Sequence, residues 1–163
     1  MLGFVHRNIN VSNPQIKERA YKTLDYSSTV WDPHTSTATK KIESVQRRTA
    51  RTTLNCYRRT SSVGAMLTEL NWQLLAERRR IAHLVMFYKI HCHLVAITMP
   101  LESKMSSSPE RTENSLVYII PASHCDYHLH SFFPRTVREW NFLPQSIVLF
   151  STPGAFRSAL SSV

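Results

Sequence analysis

The stretch Ser131-Phe-Phe-Pro-Arg-Thr-Val-Arg-Glu-Trp-Asn-Phe-Leu-Pro144 combines four aromatic residues with three charged residues and two prolines. This order predicts a turn, a short helix entered through Pro134, and an end of that helix at Pro144. Proline suits the first helical turn because its missing N–H would have no partner there, and it cannot continue a helix further on. We expect the four aromatic side chains to be packing anchors for the C-terminal part of the chain: Phe132, Phe133, Trp140 and Phe142.

Composition limits the classes of protein to which the chain can belong. Its 163 residues are 42% hydrophobic, which is enough to supply a core. Only 3 glycines stand against 8 prolines, which argues against a turn-rich β fold or a glycine-cradled nucleotide site. The formal net charge of +9 indicates a polyanionic partner such as nucleic acid. A basic soluble protein without such a partner is the alternative.

Cysteine usage and hydropathy predict a location inside the cell. The three cysteines, Cys56, Cys92 and Cys125, are odd in number and scattered, which favours a reducing compartment. The N-terminus shows neither a long apolar run nor a small-residue cleavage site, so we expect no signal peptide. Apolar stretches such as Leu84–Tyr88 are too short to span a bilayer. We therefore expect a protein of the nucleus or cytoplasm that is neither secreted nor bound to a membrane.

Hydrophobic spacing and capping residues predict a mainly α chain. The fourth of the expected helices carries the clearest periodicity, and the third follows a run of capping residues. The expected N-terminal helices cover Gln15–Leu24, Thr37 or Thr39 to about Tyr57, Val63–Leu70, and Trp72 or Gln73 to about Val95. Between the first and second of these, the β-branched and aromatic segment Tyr26–Thr35 is expected to be extended or a turn.

The C-terminal part of the chain differs in composition from the N-terminal part. Met99–Leu116 is polar and rich in serine, which is typical of a linker or a mobile loop. Leu116–Ile120 has the character of a short strand, and Ser151-Thr152-Pro153 is expected to cap a last helix that runs through Leu160. This predicts three segments: a helical domain at 1–98, a Ser-rich linker at 99–115 and a small, irregular or helical C-terminal segment at 116–163.

The second helix is expected to carry a basic face. At about 100° per residue, seven cationic side chains fall within an arc of about 120°. They are Lys40, Lys41, Arg47, Arg48, Arg51, Arg58 and Arg59. The opposite side holds a moderately apolar set: Ile42, Val45, Thr49, Thr53 and Tyr57. Clustered arginine with only Glu43 nearby favours contact with nucleic acid, whereas a solvated basic face without a partner is the alternative.

No residue pattern predicts catalysis, a cofactor or a metal site. The three aspartates, Asp25, Asp32 and Asp126, are scattered, whereas two-metal phosphoryl transfer needs convergent carboxylates. His91-Cys92-His93 lies inside the expected fourth helix, where neighbouring side chains diverge by about 100°. His124 and His128 would suit a zinc pair if that segment were helical. Scattered surface histidines are the interpretation that we prefer, so no metal ligand is assigned.

A series of strings resembles one known family. In order along the chain, they are Leu2-Gly-Phe-Val-His-Arg-Asn8, Ala20-Tyr-Lys-Thr-Leu24, Tyr26-Ser-Ser-Thr-Val-Trp-Asp-Pro33, Val45-Gln-Arg-Arg-Thr-Ala-Arg51, Tyr57-Arg-Arg-Thr-Ser-Ser-Val63, Phe87-Tyr-Lys-Ile90, Ser131-Phe-Phe-Pro-Arg-Thr136 and Trp140-Asn-Phe-Leu-Pro144. Together they resemble the C-terminal portion of LINE-type, non-LTR (jockey-like) retrotransposon reverse transcriptases. The resemblance covers nearly the whole chain.

The resemblance implies a helical, thumb-like bundle from beyond the polymerase palm. It implies that the palm aspartates and the endonuclease lie upstream, and that the partner is the phosphate backbone of an RNA or DNA template–primer duplex rather than a small molecule. The chain departs from the family in lacking about five residues after Leu24, a loss that in a helix would rotate all later residues by roughly 140°. It also carries Trp72-Gln-Leu where the family tends to have Trp-Pro-Ser, so a helix cap is lost.

The predicted function is that of a non-catalytic fragment of a retrotransposon RNA-directed DNA polymerase polyprotein. We expect sequence-independent binding of nucleic acid to remain. Two alternatives stay open: a basic helical interaction protein that docks on an acidic partner, and a decayed pseudogene product without function.

Overall fold

A computed structural model describes residues 28–57, 62–99, 101–105, 115–120 and 122–161, with backbone alone at 30–31 and 103–105. The described residues are mainly helical, as predicted. The helices are α1 (Ser28–Trp31), α2 (Ser36–Thr53), α3 (Val63–Glu69), α4 (Leu75–His91), α5 (Asp126–Leu129), α6 (Phe132–Asn141), α7 (Gln145–Val148) and α8 (Pro153–Leu160). Two short strands, β1 (Ser103–Met105) and β2 (Leu116–Tyr118), lie between α4 and α5. The predicted helix Gln15–Leu24 lies outside the described residues.

The chain divides into two compact units inside α4. The N-terminal unit is Met1–Arg79 and the C-terminal unit is Arg80–Val163. The composition-based boundaries at residues 98 and 115 describe the Ser-rich stretch rather than this division, and they stay a prediction.

The described core of the N-terminal unit is small and lies between α2, α3 and the start of α4. Its buried hydrophobic residues are Ala50, Met66, Leu67, Trp72 and Leu75. Partly buried side chains such as Ile42 and Val45 pack against this cluster. The predicted third helix is confirmed within one residue at its C-terminal end.

The segment Tyr26–Thr35 was predicted to be extended or a turn, and this is wrong for its middle. Ser28–Trp31 forms the single helical turn α1, and Ser28 is buried. Asp32, which follows α1 directly, forms an ion pair with the buried Arg79. A local preference for extended backbone is weak, so tertiary contacts of this kind can override it.

Three helices end in left-handed residues that are not glycine. Asn55, Asn71 and His93 have φ of 52°, 51° and 54° after α2, α3 and α4. After α3, the Asn71 N–H donates to Thr68 O (3.0 Å) and the Trp72 N–H donates to Leu67 O (2.8 Å). This is the Schellman pattern, in which a left-handed residue pairs the last carbonyls of the helix. In a chain with 3 glycines, asparagine is the next residue suited to that conformation.

The C-terminal unit has a larger, aromatic core. Phe87 and Trp140 have ring centroids 4.9 Å apart, and Tyr88 stacks on Phe156 at 4.6 Å. The remaining buried members are Ile81, Leu84, Tyr118, Val137, Leu143, Ile147, Val148 and Leu160. The predicted last helix is confirmed as α8, where the Thr152 side chain accepts a hydrogen bond from Ala155 N and proline opens the helix.

The Ser131–Pro144 stretch forms α6, with Pro134 at the third helical position and buried. Trp140 is fully buried, and Phe132 and Phe133 pack partly against the core, as expected of packing anchors. Phe142 is 77% exposed, so its prediction as an anchor is wrong. It follows the last residue of α6, where the chain turns and the side chain leaves the buried face.

The same stretch closes one edge of the short sheet. β1 pairs antiparallel with β2, with Ser103 opposite Tyr118. On the other edge of β2, Trp140 Nε1 donates to Leu116 O (2.8 Å). The Asn141 amide donates to Tyr118 O (2.9 Å) and accepts from Tyr118 N (3.1 Å). Side chains of α6 thus take the place of a neighbouring strand and satisfy the outward backbone groups of β2.

Candidate nucleic-acid interface

Helix α2 presents a row of cationic side chains to solvent. Lys40, Lys41, Arg47 and Arg48 are exposed and Arg51 is half-buried. These five residues, which we call the cation row, extend over about 16 Å at 1.5 Å per residue. The structure therefore brings five of the seven predicted contact residues together on one helix.

The other two predicted contact residues, Arg58 and Arg59, lie outside the described residues. Helix α2 ends at Thr53, four residues before the predicted end at Tyr57. Asn55 turns left-handed and the Cys56 N–H donates to Arg51 O (2.9 Å), which ends the helix. The assignment of Arg58 and Arg59 to the basic face stays a prediction.

The core-facing side of α2 differs from the predicted apolar side. Its buried residues are Gln46 and Ala50, whereas Tyr57 is 65% exposed. Ile42 and Val45 are only partly buried. The projection selected residues by hydrophobicity, but a glutamine whose amide oxygen and nitrogen both form hydrogen bonds can be buried just as well.

Gln46 and Glu43 cap the N-terminus of α4. Gln46 Oε1 accepts from Leu75 N (3.3 Å), and its Nε2 donates to Gln73 O (2.7 Å). Glu43 Oε1 accepts from Ala76 N (3.0 Å). The first N–H groups of a helix have no partner within it, so these side chains replace the cap that the Trp72-Gln-Leu string lacks.

Glu43 also belongs to a buried charge cluster around Arg79, which is only 2% exposed. Arg79 Nε lies 2.7 Å from Asp32 Oδ1, and Nη2 lies 3.4 Å from Glu43 Oε1. Sequence reasoning assigned no role to this arginine, because it lies in the charged run Glu77–Arg80, and a charged run on a helix usually faces solvent. The signal that could have identified it is its position one turn after the helix start, where acidic residues from earlier in the chain can reach it.

The orientation of Glu43 affects the electrostatics of the cation row. Glu43, the acidic residue within α2, is turned toward Ala76 and Arg79 and away from the row. Within the described part of the chain, no carboxylate lies at salt-bridge distance from Lys40, Lys41, Arg47 or Arg48. The positive charge of these four side chains is therefore not compensated by any described carboxylate.

The histidine- and cysteine-rich strings are distant from the cation row along the sequence. Helix α4 ends at His91 and His93 is left-handed, so only the first residue of His91-Cys92-His93 lies in the helix, whereas all three were predicted to. His91 Nδ1 is hydrogen-bonded to the Tyr118 hydroxyl, and burial together with the neighbouring His93 lowers the pKa of His91. His128 Nδ1 is bonded to Ser123 Oγ (2.8 Å). Across the described ranges, no three His, Cys, Asp or Glu side chains converge as a metal site would require.

Comparison with known proteins identifies no relative. No protein-family model matches the chain, and no curated protein or solved structure matches it significantly. A search of the described helices for an apolar segment long enough to cross a bilayer also finds none.

Proposed function

We propose that this chain is a non-catalytic part of a retrotransposon RNA-directed DNA polymerase polyprotein that binds nucleic acid through phosphates, irrespective of sequence. The observation that carries the binding proposal is the cation row on α2, whose four exposed members have no carboxylate at salt-bridge distance within the described part of the chain. The ordered strings that resemble the region beyond the palm of LINE-type reverse transcriptases support the proposed origin.

The row suits a phosphate backbone for an electrostatic reason. Cations held side by side on a folded helix repel one another, and a polyanion relieves that repulsion while its own condensed counterions are released. Lysine and arginine side chains on one helix face contact phosphates without reading bases, so such binding carries no sequence preference.

Fluorescence anisotropy with a labelled blunt duplex tests the proposal. One phosphate for each of the four exposed members of the row predicts a slope of about −3.6 for log K against log salt, so that affinity falls on the order of 100-fold between 50 and 200 mM salt. Replacing Arg47 and Arg48 together by Gln should reduce the steepness of that slope by about two. Arg157→Gln removes an exposed charge from α8 and serves as the matched control, with no change expected.

Other outcomes would contradict the proposal. Absence of duplex binding at low salt, or binding that is insensitive to salt, would contradict the proposed binding to phosphates. Docking on an acidic protein would also weaken on loss of Arg47 and Arg48, but excess bulk nucleic acid would then fail to compete. Primer extension by the isolated chain would contradict the non-catalytic assignment.

A further inference from the structure

Tyr57 emerges beside the C-terminal end of the cation row. Its neighbour Cys56 is held there because the Cys56 N–H donates to Arg51 O (2.9 Å), and the Cys56 side chain packs against the N-terminal core. Tyr57 is the next residue, and its side chain is 65% exposed. The last cation of the row, Arg51, and this exposed aromatic ring therefore lie at the same end of α2.

The position of Tyr57 follows from the helix end rather than from hydrophobic patterning. Had α2 continued to residue 57, as the sequence predicts, the ring would face the apolar side of the helix. Asn55, with φ of 52°, reverses the chain instead and leaves the ring in solvent. Among the described aromatic contacts, no ring stacks on Tyr57.

We propose that Tyr57 stacks on an unpaired base, next to the phosphates that the cation row binds. This inference rests on the proposed function and deepens it: the preferred ligand carries a single-stranded segment beside the bound backbone. A positively charged track with an exposed aromatic ring is the arrangement with which proteins bind single strands without reading sequence. A tyrosine ring has few torsions to immobilise, and the hydrogen-bonded Cys56 already restrains the backbone before it.

Alternative uses of the ring have less support on this surface. An isolated exposed aromatic residue is common on soluble proteins and by itself implies no partner. Here it follows a cation row whose described surroundings hold no compensating carboxylate, and the sequence continues with Arg58 and Arg59. If Tyr57 instead anchored a protein partner, it would contribute nothing to the difference in affinity between a normal oligonucleotide and one without bases.

The test compares the full chain with Tyr57→Ala and Tyr57→Phe on a labelled single-stranded 12-mer and on a blunt duplex. Tyr57→Ala should weaken binding of the 12-mer about tenfold, which corresponds to about 1.4 kcal/mol. This lies within the range for one base stacked on an aromatic ring. Tyr57→Phe keeps the stacking surface and should bind as the parent does. Duplex affinity and the salt slope should stay unchanged in both variants.

Tyr127→Ala is the matched control, since Tyr127 is 85% exposed but lies in the C-terminal unit. A 12-mer of abasic sugar-phosphate units supplies the second control: the parent and Tyr57→Ala should bind it equally. Equal losses for Tyr57→Ala and Tyr127→Ala, or a tenfold loss that persists on the abasic strand, would overturn the stacking role. Failure of the parent chain to bind any of the three ligands would overturn the proposed function instead.

Discussion

Aromatic rings fill the interior of the C-terminal unit, whereas polar and apolar side chains are buried together in the described interior of the N-terminal unit. In the former, Trp140 packs between Phe87 and Phe156, with centroid distances of 4.9 and 5.9 Å. In the latter, Gln46 and Arg79 are as deeply buried as the apolar residues around them.

The difference shows two ways of holding a helix in place. Aromatic burial is non-directional and depends on the area removed from water. Buried polar groups are directional, and the loss of one partner leaves the other desolvated without compensation. The polar arrangement draws Glu43 inward, so the charged residues on the exposed face of α2 are all cations. We therefore expect the two units to respond differently to substitutions.

Loss of the central ring of the C-terminal unit should have the largest effect. Trp140→Ala should lower the free energy of unfolding by about 4 kcal/mol, because it opens a cavity and leaves the Leu116 carbonyl without its donor. Chemical denaturation followed by circular dichroism measures this. Phe142→Ala, in the same stretch but 77% exposed, should change the stability by less than about 0.5 kcal/mol. Similar losses of stability for Trp140→Ala and Phe142→Ala would contradict the dependence of this unit on its buried aromatic rings.

Removal of the buried charge should show how strongly the stability of the N-terminal unit depends on its buried polar groups. Arg79→Met should cost about 3 kcal/mol, since Asp32 and Glu43 would lose their common cation. Adding Asp32→Asn and Glu43→Gln to that variant should restore part of the loss, as seen by thermal unfolding. Arg47→Met, on the exposed cation row, is the control and should be nearly neutral. If the triple variant were the least stable of all, uncompensated charge would not explain the loss.

The left-handed helix ends should contribute less in either unit. Asn71→Ala should lower the stability by about 1 kcal/mol, because a left-handed backbone strains a residue with a Cβ and no local polar group. Asn71→Gly should be neutral or slightly stabilising. Differential scanning calorimetry of the two variants measures the contrast. An alanine variant as stable as the glycine variant would show that this end is not strained.

A pH dependence specific to the C-terminal unit is the smallest expected effect. Burial lowers the pKa of His91 below its ordinary value of 6.5, so the folded state binds protons less readily than the unfolded one. Stability from this group is therefore fully present above pH 6.5 and is lost as the pH falls through the lowered folded pKa. Unfolding curves between pH 5 and 8 should show less acid sensitivity for His91→Asn than for the parent chain. Identical pH profiles would contradict the shift.

Local signals in the sequence predicted those elements whose ends depend on nearby residues. Capping predicted α8 through Thr152 and Pro153, and a short apolar run predicted β2. The end of α2 was predicted too late, because asparagine at a helix end is a weaker signal than glycine. Four-residue helices such as α5 were not predicted, since one turn is too short to show a hydrophobic period.

The candidate site was predicted in part for the same reason. The cation row follows from helical periodicity alone, so Lys40, Lys41, Arg47, Arg48 and Arg51 could be assigned to one face before any tertiary contact was known. The exposure of Tyr57 could not be, because it depends on the left-handed Asn55 and on the docking of Cys56.

The sequence by itself determined the helical content, the positive charge and the face of α2 that carries it, since these depend on residue type and on spacing within about one turn. Only the tertiary structure decided that Arg79 is buried and that Gln46 and Glu43 cap α4, because these contacts join residues some 30 positions apart. The same holds for Trp140 and Asn141, whose side chains complete a strand more than 20 residues earlier in the chain. Hydrogen bonds between distant residues leave no period in the sequence, so the fold alone reveals them.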